Sequence, residues 1–306
     1  MILTVTLNAA LDLTYESERF AWGEVNRVEA VHARAGGKGI NVARTLRQLG
    51  CETVVTGLAG GATGEAIRAE LAAAGIEDRL VPMEAESRRT VTTVSRADGV
   101  VAAFNEPGPE VSGGDWTRFR ATFPGLLGGA AAVVLSGSLP RGLPASAYAE
   151  LVGECGRHGV TAIVDASGDA LVEALRARPA LVKPNREELR EVLGDAGDLD
   201  GARALRDRGA EAVVVSAGAD GLCAVTPDGT WRARCPAVDG NPVGAGDALV
   251  AALTAGMVSG LPWPERLRAA AATAAAAVRV PQAGGYDPAT RSRLLSSVSV
   301  ERVKRP

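Results

Sequence analysis

The segment NPVGAGDALVAAL, residues 241–253, sets one acid, Asp247, directly behind three small residues, Gly244, Ala245 and Gly246, where an apolar helix-forming run begins. Small residues at a helix start leave backbone N–H groups uncovered, and the positive end of the helix dipole faces the same way. With Gly244, Ala245 and Gly246 as the first helical turn, those amides can neutralise charge on a phosphoryl group in transfer. Asp247 is then placed to take a proton from a substrate hydroxyl, and a positioned carboxylate base contributes about 10²–10⁴-fold. The same acid can instead stabilise the helix dipole, worth about 0.3–1 kcal/mol. From the segment alone the two roles are evenly matched.

Two other segments put donors and acceptors at helix starts. In AGGKGINVARTL (35–46) the glycines, Gly37 among them, precede a helix whose beginning carries Lys38 and Asn41. Exposed amides, a dipole end and an ammonium suit a hydroxyl-rich or anionic ligand. A flexible turn before a helix has the same composition, and the GxxxxGK[ST] spacing of a Walker A loop is absent. In LVKPNREEL (181–189) Pro184 closes an apolar strand and Asn185 opens a helix. Asn185 and Glu188 have the spacing of a capping box. Equally, they suit the ordering of water around a phosphate-bound Mg²⁺.

The elements that must position these groups follow one recurring pattern: a helical segment ends at a glycine and an apolar strand begins at once. It occurs as RTLRQLG-CETVVTGLAG, AELAAAG-IEDRLV, ECGRHG-VTAIVDAS and ALRDRG-AEAVVVSAG, with Gly50, Gly75, Gly159 and Gly209 at left-handed cap positions. Continuously apolar strands are expected in a parallel sheet buried on both faces, so the fold class is α/β, a doubly wound sandwich. Residues 13–34 and 88–105 instead alternate polar with apolar side chains, and Asp98-Gly99 centres the second as a hairpin turn. They are expected to form a small accessory sheet, a lid inserted in one domain spanning residues 1–306. In open α/β sheets ligands bind beyond the carboxyl ends of the strands. Here the ends TLNAALD, VVLSGSLP, IVDASG, LVKPN and VVVSAG are expected to line one cleft.

Composition narrows the class. A net charge of −3 gives no electrostatic case for nucleic acid or an anionic membrane. Cys51, Cys155, Cys223 and Cys235 form no CxxC pair and read as reduced residues of a cytoplasmic protein. Two histidines, His32 and His158, leave no basis for a His-rich metal site. The start MILTVTLNAALDLTYE lacks a basic leader and is interrupted by Asp12, so it reads as a first strand and not a signal peptide. Every apolar run has polar breaks too frequent for a membrane span, and AAATAAAAV (270–278) reads as a buried helix.

Taken together, the segments resemble the ribokinase-like, PfkB-type carbohydrate kinases over nearly the whole chain. GGKGINVAR (36–44) and NPVGAGDALVAAL are similar to the two family signatures, and TLNAALD (6–12), SGSLP (136–140), KPNREE (183–188) and SAGADG (216–221) lie between them in family order. The nearest resemblance is to the branch acting on hexose phosphates: 1-phosphofructokinases, tagatose-6-phosphate kinases and minor-type 6-phosphofructokinases. This implies a three-layer ribokinase-like sandwich with a lid, and MgATP-dependent phosphorylation of fructose 1-phosphate or tagatose 6-phosphate to the bisphosphate. Fructose 6-phosphate, an unphosphorylated sugar and a nucleoside are the alternative acceptors. A catalytically silent sugar sensor is disfavoured by the intact Gly244–Asp247 segment.

The resemblance implies these roles. Asp247 is the base, and the amides of Gly244, Ala245 and Gly246 form the anion hole. Asp12, Gly37, Lys38 and Asn41 hold the sugar, with Ser138 beside it and Arg88 on its phosphate. Asn185 and Glu188 serve the Mg²⁺–triphosphate, Glu188 through water. Lys183, Ser216, Gly218 and Gly221 line the nucleotide, and Ala277, Gln282 and Gly284 the adenine pocket. A homodimer through the lid is expected by the same resemblance. Asn241-Pro242 departs from the Asp-Thr or Ser-Thr of many relatives and is expected to retune a nucleotide or cation contact. Lys38 also occurs in members acting on neutral sugars, so Arg88, whose fork of donors suits a dianion, is the better mark of a phosphorylated acceptor.

Overall fold

The computed structural model describes residues 1–303. From the N-terminus, β1 (Ile2–Thr6) runs into β2 (Ala10–Ser17) and β3 (Ala30–Gly36), then α1 (Lys38–Gln48), β4 (Thr53–Ala59), α2 (Gly61–Ala73) and β5 (Glu77–Pro82). A hairpin, β6 (Arg88–Ser95) and β7 (Val101–Asn105), precedes α3 (Gly113–Leu126) and β8 (Ala132–Ser136). Next come α4 (Ala147–Arg157), β9 (Thr161–Asp165), α5 (Gly168–Arg176), the short β10 (Leu181–Val182), α6 (Arg186–Leu193) and α7 (Asp198–Asp207). The strands β11 (Ala212–Ser216), β12 (Leu222–Thr226) and β13 (Gly229–Arg234) follow. The chain closes with α8 (Ala245–Val258), α9 (Trp263–Ala277), α10 (Pro288–Leu295) and β14 (Ser299–Arg302).

Ten of these strands form one sheet in the order β14-β13-β12-β11-β10-β9-β8-β1-β4-β5. From β11 to β5 all pairs are parallel, whereas β12, β13 and β14 add antiparallel strands at one edge. Alternate side chains of each central strand serve opposite faces, which makes the three layers. Leu3, Val133, Leu135, Val213 and Val215 pack with α3 to α7, while Ile2, Val134, Ile163 and Val214 pack with α1, α8, α9 and α10. The apolar run 270–278 falls on α9, with Ala270, Ala271, Ala272 and Ala276 in the core.

Gly50, Gly75 and Gly159 end their helices with φ of +86°, +65° and +66°, in the left-handed range expected for such caps. Gly209 departs from it at +138°, because its Cα lies against the Leu175 carbonyl, where a side chain would have no room. The expectation of continuously apolar strands fails at β5, where Glu77, Asp78 and Arg79 are exposed or half-buried and only Leu80 and Val81 are buried. It is one of the two edge strands of the sheet.

The alternating segments form a separate four-stranded sheet, ordered β3-β2-β6-β7. Its hairpin turns at Asp98-Gly99, with Ser95 N–H donating to the Val100 carbonyl. Residues 13–34 are not continuous strand. Pairing starts at Ala10, and residues 18–29 leave the sheet as a loop held by Asn26, whose side chain exchanges two hydrogen bonds of 2.8 Å with the Ala21 backbone. No described helix is long and apolar enough to cross a membrane, and all four cysteines are free.

Candidate active site

The carboxyl ends of β1, β8, β9 and β10 meet the starts of α1 and α8. At their meeting point lies Asp247, in the first turn of α8 and 7% exposed, with Asn41 Nδ2 of α1 donating to its Oδ2 at 2.8 Å. Burial, and next the like charge of Asp165, push the Asp247 carboxyl up to about 7; the Asn41 hydrogen bond, Lys38 and Lys183 oppose the rise. A carboxylate so tuned is half-ionised near neutrality, where a general base is most effective.

The turn before α8 differs from the sequence reading by one residue. Gly244 is the N-cap at φ +83°, and the helix starts at Ala245. A Cβ on Gly244 would stand 2.6 Å from Ala283 Cβ, so neither the dihedral nor the space admits a side chain. The amide of Ala245 already donates to the Pro242 carbonyl at 3.1 Å, whereas those of Gly244 and Gly246 have no acceptor among the described residues. Two of the three expected amides are therefore free. Asn241 tightens this turn: its Oδ1 accepts from Val243 N–H at 3.1 Å, and its Nδ2 donates to the Pro281 carbonyl at 3.2 Å.

Asp165, at the end of β9, is a candidate site residue that sequence reasoning missed. Its carboxylate, 1% exposed, lies 3.2 Å from Lys183 Nζ and 3.9 Å from Lys38 Nζ, and accepts from Ser136 Oγ at 3.1 Å. Burial alone would raise its pKa, but the two ammoniums bring it below the ordinary value. In return Asp165, more than any other group, raises the pKa of Lys38. Lys38 also reaches Glu188 Oε1 at 3.3 Å. Lys183, expected on the nucleotide side, is thus part of this buried charge cluster and lies beside Gly246. The only signal in the sequence was an acid closing a buried strand in IVDASG.

A cleft of about 160 Å³ opens beside the cluster, lined by Asn8, Lys38, Arg88, Ser136, Ser138 and Ser167 among others. Arg88 is fixed there by Nε donating to the Asn8 carbonyl at 3.2 Å and Nη1 to the Glu106 carbonyl at 3.0 Å. Ser138 Oγ accepts from Asn8 Nδ2 at 3.1 Å. Two buried polar atoms here, Thr6 Oγ1 and Asn8 Oδ1, have no hydrogen-bond partner. A hydroxyl-rich ligand would relieve that desolvation cost, about 1–3 kcal/mol for each unpaired group. Asp12 sits on the small sheet, accepting from Thr90 Oγ1 at 2.6 Å; burial raises its carboxyl pKa. Its Oδ2 occupies the space where a Cβ on Gly36 would be, 1.8 Å away, so only glycine fits next to Gly37.

Asn185 and Glu188 form the full capping box: Glu188 N–H donates to Asn185 Oδ1 at 2.8 Å and Asn185 N–H to Glu188 Oε2 at 2.9 Å. That arrangement leaves Oε1 for Lys38 and any further ligand. No group of three His, Cys, Asp or Glu able to cage a metal occurs among the described residues. These donors suit an ion carried mainly by phosphate and water.

Ser216 closes β11, bridged to Asn185, and Gly218 and Gly221 flank a single 3-10 turn. Their neighbours Ala217, Ala219 and Asp220 line a larger cleft of about 750 Å³ on the α7–β12–β13 side, which Asp247 and Asn185 do not line. The charge arrangement, not cleft size, locates the chemistry. Ala277, expected at the adenine, is 2% exposed and packs with Ala248, Ala276 and Tyr286, because the last turn of α9 lies against α8. Gln282 and Gly284, expected at the same pocket, lie toward the small sheet and α1. Arg34 donates to Gln282 Oε1 at 3.2 Å, and Gly284 lies against Asn41 and Arg44.

The family model described as pfkB family carbohydrate kinase matches residues 3–290. The chain is 36% identical to 1-phosphofructokinase of Escherichia coli (strain K12), over 98% of each chain. Its structure is similar to phosphofructokinase-2 from Escherichia coli in complex with potassium, with a TM-score of 0.91 and 29% identity over 97% of this chain and 98% of that one. A ribokinase from Arabidopsis thaliana, solved with ribose and ATP, is alike in fold alone, with a TM-score of 0.72 and 24% identity over 96% and 98%.

Proposed function

The chain belongs to the pfkB family of carbohydrate kinases, and on that premise we propose that it transfers the γ-phosphoryl group of MgATP to a hydroxyl of fructose 1-phosphate. The observation that carries this reading is the placing of Asp247, the free amides of Gly244 and Gly246, and Lys38 beside a cleft that also holds Arg88. Full-length likeness to a 1-phosphofructokinase favours fructose 1-phosphate over tagatose 6-phosphate. Likeness in structure to a phosphofructokinase-2 makes fructose 6-phosphate the second candidate.

In this mechanism Asp12, Asn41 and Ser138 orient the sugar hydroxyls, and Arg88 holds the existing phosphate. The acceptor oxygen attacks the γ-phosphorus, the bond to the β,γ-bridging oxygen breaks, and the hydroxyl proton passes to Asp247. ADP, the sugar bisphosphate and one proton leave. Gly244 and Gly246 amides meet the equatorial charge of the transition state, with Lys38 and Lys183 adding positive charge nearby. Mg²⁺, which neutralises triphosphate charge, would be held through water by Glu188 and Asn185. Ser216, Gly218 and Gly221 would line the remainder of the nucleotide. The small sheet acts as a lid that excludes water and limits idle ATP hydrolysis. It belongs to the same single domain as the large sheet.

A coupled ADP-release assay over fructose 1-phosphate, tagatose 6-phosphate, fructose 6-phosphate and neutral sugars tests this reading. The highest kcat/KM is expected with fructose 1-phosphate, by at least about tenfold, the factor that 1.4 kcal/mol of selective binding supplies. A neutral sugar ahead of every phosphosugar would overturn it.

We also propose a homodimer through the small sheet. The sheet and its 18–29 loop expose Trp22 (73%), Val31, Val101 and Phe104, an apolar group unusual on a monomer. Gel filtration with light scattering is expected to give twice the chain mass of 31.3 kDa. A monomer at micromolar concentration would count against it.

A further inference from the structure

Arg34 is the one side chain of the small sheet whose hydrogen bonds reach past residue 240, among the described residues. From β3 its Nη1 donates to Gln282 Oε1 at 3.2 Å and to the Ala283 carbonyl at 2.9 Å. In the β2–β3 ladder Arg34 stands opposite Asp12. Its neighbour Ala35 is tied at both backbone groups, N–H to Glu70 Oε2 at 3.1 Å and carbonyl to Arg44 Nη2 at 3.3 Å. Strand and guanidinium are therefore held as one unit.

The other end of this contact is a junction. Ala283 abuts the turn before α8: a Cβ on Gly244 would meet its Cα at 2.8 Å. One residue on, Gly284 is so close to α1 that a Cβ there would lie 3.2 Å from both Cα and Oδ1 of Asn41. Asn41 in turn holds Asp247. Three residues thus touch the lid, the anion-binding turn and the partner of the base. A packed junction of this kind passes displacement on, because interiors are too dense to absorb it.

We infer that Arg34 is a positioning residue that latches the sugar-binding sheet to the nucleotide-side turn, so that sugar and nucleotide each tighten the binding of the other. The inference rests on the kinase reading above. When the acceptor draws Asp12 and its strand inward, Arg34 carries Gln282 and Ala283 with it and sets the Gly244 turn for phosphate. Linkage requires the reverse effect to be equal.

Isothermal titration of a non-hydrolysable MgATP analogue, with and without fructose 1-phosphate, tests the latch. In the wild-type protein the sugar is expected to tighten the analogue about tenfold, within the usual range of coupling between sites. Arg34→Met keeps the aliphatic stem and removes the donors. It is expected to lower coupling below about twofold while each ligand alone binds within about threefold of wild type, and Arg34→Lys is expected to restore part of the coupling. Wild-type coupling in Arg34→Met, or none in the wild type, would overturn the latch. If the wild type binds a different sugar from the assay panel, the acceptor assignment fails, and the titration is made with that sugar. Hydrogen exchange reads the latch with no sugar present: amides of residues 282–285 are expected to exchange faster in Arg34→Met, and unchanged exchange overturns it.

Discussion

Asp247→Ala is expected to lose two to four orders of magnitude in kcat, about the 10²–10⁴-fold that a positioned base supplies, while still binding the sugar phosphate. The sugar contacts proposed for Asp12, Asn41, Ser138 and Arg88 remain in that variant, so the KM for fructose 1-phosphate should shift little. Unfolding is not the expected cause of the loss. Because the folded protein holds the Asp247 proton up to about 7 against an ordinary value of 3.8, the group's contribution to stability falls as pH rises between those values and is flat above. At pH 8 the ionised carboxylate is a burden on the fold, and the alanine variant should have a Tm no lower than wild type. Differential scanning calorimetry beside ADP release separates the two causes. Turnover within tenfold of wild type would remove Asp247 from the role of base.

Arg88→Ala should act on binding instead. The guanidinium is held by two backbone carbonyls beside the cleft, and a charge-assisted hydrogen bond is worth about 1.5–3 kcal/mol. The KM for fructose 1-phosphate is therefore expected to rise roughly 10- to 150-fold, with kcat changed far less. A neutral ketohexose, with no phosphate to lose, should show almost no change. Arg88→Lys should recover only part of the affinity, since an ammonium lacks the paired donors. A KM for the phosphosugar within threefold of wild type would show that the phosphate is held elsewhere.

How far the sequence could be read depended on how local each feature was. Parallel strands, glycine-ended helices and the Asp98-Gly99 hairpin follow from the chemistry of a few adjacent residues. The break at residues 18–29 within the small sheet was read as strand, although Phe20, Ala21 and Trp22 interrupt the alternation and Gly23 follows them. Asp247 and Asn41 were visible as polar residues at two helix starts, yet their contact joins positions 206 residues apart. Asp165 looked like any acid at a strand end until the fold set two lysines against it. Arg34 gave no signal at all, as its acceptor lies 248 residues further on. The burial of Ala277 against Ala248 and Tyr286 was likewise not legible, because it follows from how α9 packs on α8. The capping box at Asn185 is real, and it leaves Glu188 Oε1 to meet Lys38, so capping is compatible with the metal-side role proposed for the same side chain.

The measurement that bears most directly on Asp247 as base is the pH dependence of kcat/KM for fructose 1-phosphate, from pH 5 to 9, in the wild-type protein. This quantity reports groups of the enzyme before the sugar binds. The groups facing Asp247 are Asn41 from α1, Lys38 at its start, Asp165 from β9 and Lys183 after β10. A base held near neutrality predicts a plateau above about pH 7 and a tenfold fall for each unit below it. The sugar phosphate's own second ionisation, near pH 6, is fixed independently by ³¹P chemical shift. A profile flat from pH 8.5 to 5.5, or one that bends only with that substrate ionisation, would contradict the account.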